Sequence, residues 1–451
     1  MGDKEASQVL LNGLRRLEYR GYDSAGLSLI GKDALRSVKR PGKVAALSQA
    51  VREELTPEEN ELCRVGVAHT RWATHGPPTQ VNAHPHLDES GRIALVHNGI
   101  IENYRDIRSH LEGKGHTFHS ETDSEVLAHL IGDFFEGDLF GAVCVALTKV
   151  EGTFGTAVIS QDEPDKVIAA RRGSPIVIGV GKDECVIASD AAAVVAVTQQ
   201  VIYLDDNDVA VVTPGEVAIR DLNNVPVSRQ LSELEWSDTS AELGGYEHFM
   251  LKEIYEQPDS IRNAIRGRLD FENGTAVLSG LGTTPREISE VQRAIIVGCG
   301  TSMNAGMVGE YAFEEFADMP AEVEQAAEFR YRNPIIRASD LVLAISQSGE
   351  TADTLAAVRE AIQKGAWVSG LCNVVGSTIA RETGRGIYLH AGPEISVAST
   401  KAFTCQVAVL LMVALKFGRC ARMSLSRGRE IAEAIESIPS LVERVLLECQ
   451  S

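Results

Sequence analysis

Two kinds of hydrophobic patterning divide this chain near residue 240. Between residues 25 and 220, apolar runs of five or six residues recur at 25–30, 93–97, 155–159, 175–179 and 209–213. Each has the length of a strand. Helical patterns are interposed, as at residues 122–135, where Val126, Leu127, Leu130 and Ile131 share one face. The mixture predicts an α+β domain with largely antiparallel sheets over residues 1–227. Residues 228–246 are polar, acidic and aperiodic, and read as a linker. From Ala294 onward strands and helices alternate regularly. Residues 247–451 are therefore expected to form an α/β domain around a parallel sheet.

The second half carries three turns rich in hydroxyls. Ser346-Gln347-Ser348-Gly349-Glu350-Thr351 follows the apolar run 341–345 and precedes a helical pattern at 352–359. Three hydroxyls and a glycine thus crowd a strand-to-helix turn, where free N–H groups and the helix dipole favour an anion. A helix cap alone needs one hydroxyl. No lysine sits in the turn, which excludes the nucleotide P-loop and suits a sugar phosphate better than ATP. Upstream, the strand-like run 294–297 leads into Gly298-Cys299-Gly300-Thr301-Ser302, whose glycine spacing fails the dinucleotide fingerprint. A third turn, Val397-Ala398-Ser399-Thr400-Lys401, opens the apolar segment 402–417. A doubly wound sheet would gather such turns at one edge.

Length and charge narrow the class. A chain of 451 residues suggests two or three domains. With 43 basic and 63 acidic residues the net charge is −20, which argues against a nucleic-acid partner. Eight cysteines without a C-x-x-C pair point to reduced thiols and a cytoplasmic protein. The longest uninterrupted apolar run, residues 407–415, is too short for a bilayer, so no membrane role is expected. No signal segment opens the sequence.

Nine of the eleven histidines fall between His69 and His129. His84 and His86 with His97 invite a metal reading, but the helical i, i+4 spacing of a zincin is missing. No metal and no cofactor is expected. More telling are the string from His69 through Arg71 to Gly76, then Asn98-Gly99, then Glu121-Thr122-Asp123. An arginine and an aspartate could grip the two charged ends of a free amino acid. Asn98 and the Gly99 amide could form an oxyanion hole. They could equally form a hairpin turn, for which Asn-Gly is the strongest short signal.

The strings at residues 14–24 (LRRLEYRGYDS), 69–76 (HTRWATHG), 96–103 (VHNGIIEN), 252–258 (KEIYEQP), 346–354 (SQSGETADT) and 396–403 (SVASTKAF) together resemble the isomerising glutamine–fructose-6-phosphate aminotransferases. The resemblance runs over nearly the whole chain. It implies an N-terminal-nucleophile (Ntn) hydrolase-type glutaminase domain, an αββα sandwich, followed by a flavodoxin-like sugar-isomerase (SIS) domain. L-glutamine and fructose 6-phosphate would be the substrates, with ammonia passing internally between the sites. Glutamate and glucosamine 6-phosphate would be the products, and the protein a homodimer. By the same resemblance Arg71 and Asp123 hold the glutamine carboxylate and amino group, and Thr74 and His75 line that pocket. Asn98 and Gly99 stabilise the oxyanion, Trp72 gates the ammonia path and Arg20 supports the active-site loop. Thr301, Ser302, Ser346, Gln347, Ser348 and Thr351 bind the sugar phosphate, and Val397 and Ser399 contact the sugar backbone.

Two departures stand beside these matches. The family begins with a nucleophilic cysteine in a strand, whereas this sequence opens Met1-Gly2-Asp3-Lys4. In that family the thiol and its α-amino base are one residue, so both are lost together. Ser7 is out of register to replace them, and Cys63 reads as a core thiol. At the other end, Ser451 falls where a second SIS domain with the family's histidine, glutamate and lysine would start. The expectation is a member truncated at both ends, inactive as written. The alternative is a non-catalytic sugar-phosphate-binding or regulatory protein of the same fold.

Overall fold

The apolar run at 93–97 is the first half of a longer strand, Ile93–Ile101, inside the first of two units, Met1–Asp238 and Thr239–Ser451. The computed structural model describes every residue except 19, 20, 22, 72–74, 235–242, 244, 450 and 451.

In the first unit a six-stranded antiparallel sheet runs in the order Glu216–Asp221, Asp208–Thr213, Val167–Arg172, Gly152–Ser160, Ile93–Ile101, His86–Leu87. Side chains alternate across it with period two. Ile93 and Leu95 join Phe154, Val158 and Ile168 beneath the helices Asp123–Phe134 and Leu139–Thr148. Ala94, Ala157, Ile159, Ala169 and Ala210 face the other way, onto Ile30, Val67, Ile178 and Leu204. Those belong to or adjoin two further antiparallel sheets. One orders Leu35–Pro41, Ser24–Ile30 and Gly66–Arg71; the other orders Leu231–Glu233, Gln200–Tyr203, Val177–Val180 and Cys185–Ala188. Leu27 and Leu29 then pack outward against Leu11, Leu14, Leu47 and Val51 of the helices Ala6–Leu17 and Val44–Glu54. The layers are therefore helix, sheet, sheet, helix, with the larger core between strands and the two helices that follow them.

Part of the stretch read as linker is structured. Leu231–Glu233 pairs antiparallel with Gln200, Val201 and Ile202 at a sheet edge. A three-residue edge strand with polar neighbours carries no alternating apolar signal, which is why the sequence hid it.

The second unit is built on a five-stranded parallel sheet in the order Ala321–Gln325, Arg293–Gly298, Asp340–Ser346, Trp367–Cys372, Gly386–Tyr388. Numbered along the chain, this is 2-1-3-4-5. The two central strands are covered on both faces, so they read as continuous apolar runs. Ile296, Leu341, Leu343 and Ile345 meet Ala305 and Phe313 of the helix Thr301–Ala317 on one face. Ile295, Val297, Val342 and Ala344 meet Leu355, Val358 and Ala361 of the helix Ala352–Gln363 on the other.

The helix Lys401–Cys420 is long and apolar enough, by length and composition, to cross a membrane. Its Ala402, Cys405, Val409, Met412 and Val413 are instead fully buried in the same core as Phe313 and Leu343. A helix apolar on most of its circumference is what a core position demands.

Candidate functional site

Asn98 and Gly99 do not make a hairpin turn. Both lie within the strand Ile93–Ile101, opposite Gly155 and Phe154, and the pairing continues to Ile101 opposite Gly152. Gly99 is needed for a different reason. Its φ is +135°, and a Cβ there would stand 2.2 Å from the carbonyl oxygen of Thr153. The glycine permits a close backbone approach inside a strand.

The Asn98 side chain is oriented by a histidine. Nε2 of His69 lies 2.8 Å from Oδ1 of Asn98 and donates to it. That leaves the Asn98 amide hydrogens free for a ligand. Nδ1 of His69 is 3.2 Å from Nδ1 of His84, and burial pushes the His69 imidazole down to about 4, so it is neutral at ordinary pH. His97 belongs to the strand Ile93–Ile101, just before Asn98, with Nδ1 2.9 Å from the Ser124 hydroxyl and Nε2 3.3 Å from the Thr153 carbonyl oxygen. His86 meets the Thr122 hydroxyl at 3.0 Å. These imidazoles are engaged in hydrogen bonding with neutral groups.

Asp123 opens the helix Asp123–Phe134, capped by Thr122, whose hydroxyl oxygen accepts from the Glu125 N–H at 3.3 Å. The carboxylate is buried and accepts from the Ile101 N–H at 2.9 Å. Arg71 ends the strand Gly66–Arg71, two residues beyond His69 and so on the same face. Its guanidinium donates to the carbonyls of Pro77 at 3.2 Å and Gly76 at 3.1 Å, and to that of His75. Burial pulls the guanidinium below its ordinary range, opposed by the charges of Asp23 and Asp123. Asn82 fastens the same loop, donating to Pro77 O at 3.0 Å and accepting from the Glu121 N–H at 3.0 Å. The His75 ring rests on Tyr104, centroids 5.3 Å apart. Thus Arg71, His75, Asn98, Gly99 and Asp123 come from two strands, the loop that follows the first of them, and the start of one helix. Arg20, Trp72 and Thr74 lie outside the described residues.

The two groups weighed as stand-in nucleophiles have structural partners. The Cys63 thiol donates to the Glu59 carbonyl at 3.1 Å, and burial pushes it up. The Ser7 hydroxyl donates to the Glu5 carboxylate at 2.6 Å.

In the second unit, Gly298 and Ser346 end adjacent parallel strands, with Gly298 in register with Ile345. These are strands 1 and 3 of the 2-1-3-4-5 order, where the crossovers diverge and leave a crevice at the carboxyl ends. The loop after strand 3 is fixed by its own hydroxyls. The Ser346 hydroxyl accepts from the Gly349 N–H at 3.0 Å and meets the Thr351 hydroxyl at 2.9 Å, while Ser348 accepts from the Glu350 N–H at 3.2 Å. Gly349 has φ +68°, and a Cβ would collide with Ser377. Glu350 in turn accepts from the Thr378 N–H at 2.8 Å, and the Gln347 carbonyl accepts from the Asn373 N–H at 3.0 Å. Thr351 begins the helix Ala352–Gln363 without spending its hydroxyl on a cap. The loop after strand 1 turns through Gly300, φ +57°, into the helix starting at Thr301.

The third hydroxyl-rich turn follows no strand; it leads into the helix Lys401–Cys420. Its backbone is held by two buried carboxylates that composition alone did not mark. Glu253 accepts from the N–H groups of Ile395 and Ser396, and Glu394 from those of Thr400 and Ala402. Val397 is left 67% exposed. Gln406, also missed, donates to the Ser302 hydroxyl at 3.0 Å from the first turns of the Lys401–Cys420 helix. A single glutamine followed directly by nine apolar residues, 407–415, was the available signal.

The matches to known proteins fit this division. Residues 54–234 match the Glutamine amidotransferase domain family and residues 287–416 the SIS domain family. A glutamine–fructose-6-phosphate aminotransferase (isomerizing) of Chlorobaculum tepidum is 52% identical over 437 residues, covering 96% of this chain and 69% of the relative. The one from Thermus thermophilus is 48% identical over 447 residues, covering 99% and 72%. Among solved structures, the C-terminal domain of the Francisella tularensis glucosamine-fructose-6-phosphate aminotransferase is 37% identical over 44% of this chain and 56% of that one, with a TM-score of 0.42. Identity at this level over almost the whole chain decides the matter: the chain belongs to the glutamine–fructose-6-phosphate aminotransferase (isomerizing) enzyme family.

Proposed function

We propose that the two units serve one nitrogen transfer, from the side-chain amide of L-glutamine to C2 of fructose 6-phosphate, giving glutamate and glucosamine 6-phosphate. In the first unit Asp123 takes the ammonium of glutamine and Arg71 its carboxylate, with His75 and Thr74 lining the pocket. The Asn98 amide and the Gly99 N–H are placed for the negative oxygen that forms when a thiol such as the family's N-terminal cysteine adds to the amide carbon, a nucleophile that residues 1–451 do not themselves supply. Arg20 and Trp72 carry the loop-supporting and ammonia-gating roles that the resemblance gives them. In the second unit the sugar phosphate sits on Ser346, Gln347, Ser348 and Thr351, with Thr301 and Ser302 across the crevice and Val397 and Ser399 beside the sugar.

One observation carries this reading: the two hydroxyl-rich loops end adjacent parallel strands at the point where the sheet's crossovers diverge. Backbone N–H groups, hydroxyls and a helix N-terminus converge there without a lysine, which is suited to a monophosphate ester and poorly suited to a triphosphate. Calorimetric titration with fructose 6-phosphate, glucosamine 6-phosphate and ATP tests it. Both sugar phosphates should give saturable heat at one site per chain and ATP none; heat from ATP alone would remove the reading. In the same way L-glutamate should bind the first unit.

The protein works as a cytoplasmic homodimer. Eight unpaired cysteines support a reducing compartment. Met307, Val308 and Tyr311, one exposed face of the helix Thr301–Ala317, support self-association. Sedimentation at micromolar concentration should report twice the chain mass.

A further inference from the structure

We propose that Glu89, His116 and His129 of the first unit bind a divalent transition-metal ion of the zinc class. None of the three belongs to the glutamine pocket. One ligand atom from each lies within 4.8 Å of the others. Nδ1 of His116 stands 3.1 Å from Nδ1 of His129, and Nδ1 of His129 stands 3.5 Å from Oε2 of Glu89. Around a tetrahedral zinc with bonds of about 2.0–2.2 Å, neighbouring ligand atoms are about 3.3–3.5 Å apart. The two edges are already close to those of a coordination polyhedron.

Nδ1 of His129 faces both the His116 nitrogen and the Glu89 carboxylate. Without an ion, a proton on Nδ1 of His129 is shared between those two acceptors. With that proton moved to Nε2 of His129, all three facing atoms offer lone pairs, which a cation at the centre takes at once.

The ligands come from three segments, each braced. Glu89 lies between the strands His86–Leu87 and Ile93–Ile101, and its Oε2 also accepts from the Thr117 N–H at 2.8 Å. His129 is 2% exposed and stacks on Phe118 at 4.4 Å. His116 follows the helix Tyr104–Gly113, and its Nε2 lies 3.7 Å from the Asp133 carboxylate, which Lys114 fixes at 2.6 Å. The negative charge of Asp133 lies on the Nε2 side of the ring, beyond hydrogen-bond distance, and favours the proton there and Nδ1 as the ligand atom. Two imidazoles and one carboxylate select zinc, cobalt or nickel over magnesium or calcium. Three protein ligands leave a fourth position for water. The ion would tie two turns to the helix whose first residue is Asp123. No sequence motif announces it, because the ligands share no short spacing.

The test is titration of chelator-treated full-length protein with Co²⁺, followed by its visible d–d absorption, and then displacement by Zn²⁺. The expected result is one Co²⁺ per chain with tetrahedral bands, displaced by equimolar Zn²⁺ and not by millimolar Mg²⁺. Glu89→Gln and His116→Ala, both near the surface and checked for folding by circular dichroism, should each weaken Co²⁺ at least tenfold. No stoichiometric binding, a sulfur charge-transfer band, or unchanged affinity in both folded variants would overturn the proposal.

Discussion

Nε2 of His69 donates to Oδ1 of Asn98 at 2.8 Å, so a histidine two residues before Arg71 decides which end of the asparagine amide is free. The pair spans two sheets of the first unit. Replacing His69 by leucine strands a polar oxygen and frees the carboxamide to rotate, a loss of roughly 1–3 kcal/mol in stability. His69→Gln keeps a donor near the same place and should recover most of it. Urea melts of the two variants check this; equal losses would mean that the ring's bulk, not its N–H, matters.

Asp123 is the acidic half of the amino-acid pocket. Asp123→Asn keeps an oxygen for the Ile101 N–H and removes the charge. L-glutamate affinity should fall at least tenfold, since a hydrogen bond to a charged group is worth roughly 1.5–3 kcal/mol, while fructose 6-phosphate affinity stays unchanged. Parallel titrations with both ligands would show it.

Acid should loosen the first unit. His84, His86 and His97 are buried, and burial sets each below its ordinary 6.5. Below pH 6.5 the unfolded chain takes protons that the folded chain refuses, so stability is complete above that pH and falls as pH drops. The slope is up to about 1.4 kcal/mol per pH unit for each histidine. Amide exchange in the strands Ser24–Ile30 and Ile93–Ile101 should accelerate from pH 6.5 to 5 after correction for intrinsic rates. His86→Gln, which can still meet Thr122, should make the dependence shallower.

Gln406 offers a test of the crevice wall. Gln406→Leu removes the donor to Ser302 and fits a buried position. Sugar-phosphate affinity should fall by a few fold, about 1 kcal/mol for one neutral hydrogen bond. Calorimetry on the variant measures it, with thermal melting to show that the helix still packs.

Much of the fold was legible because the two strand types announce themselves differently. The doubly buried strands 341–345 and 294–297 are continuous apolar runs, and the loops they end in carry the hydroxyls. Asn98-Gly99 was ambiguous because the dipeptide signals a turn locally, while the strand around it is fixed by pairing with residues far along the chain. Leu231–Glu233 was invisible because three residues with polar neighbours carry no alternating apolar signal. The roles of His69, Glu253, Glu394 and Gln406 depend on contacts with distant segments, which no local pattern encodes.

The most direct measurement is calorimetric titration of fructose 6-phosphate into the wild-type chain and Ser348→Ala. Ser348 accepts from the Glu350 N–H and keeps its proton for a phosphate oxygen. The wild type should bind at one site per chain, and the variant should bind about tenfold or more weakly, within the roughly 1–3 kcal/mol of a charge-assisted hydrogen bond. Equal affinities for the two proteins would contradict a phosphate seat at residues 346–351.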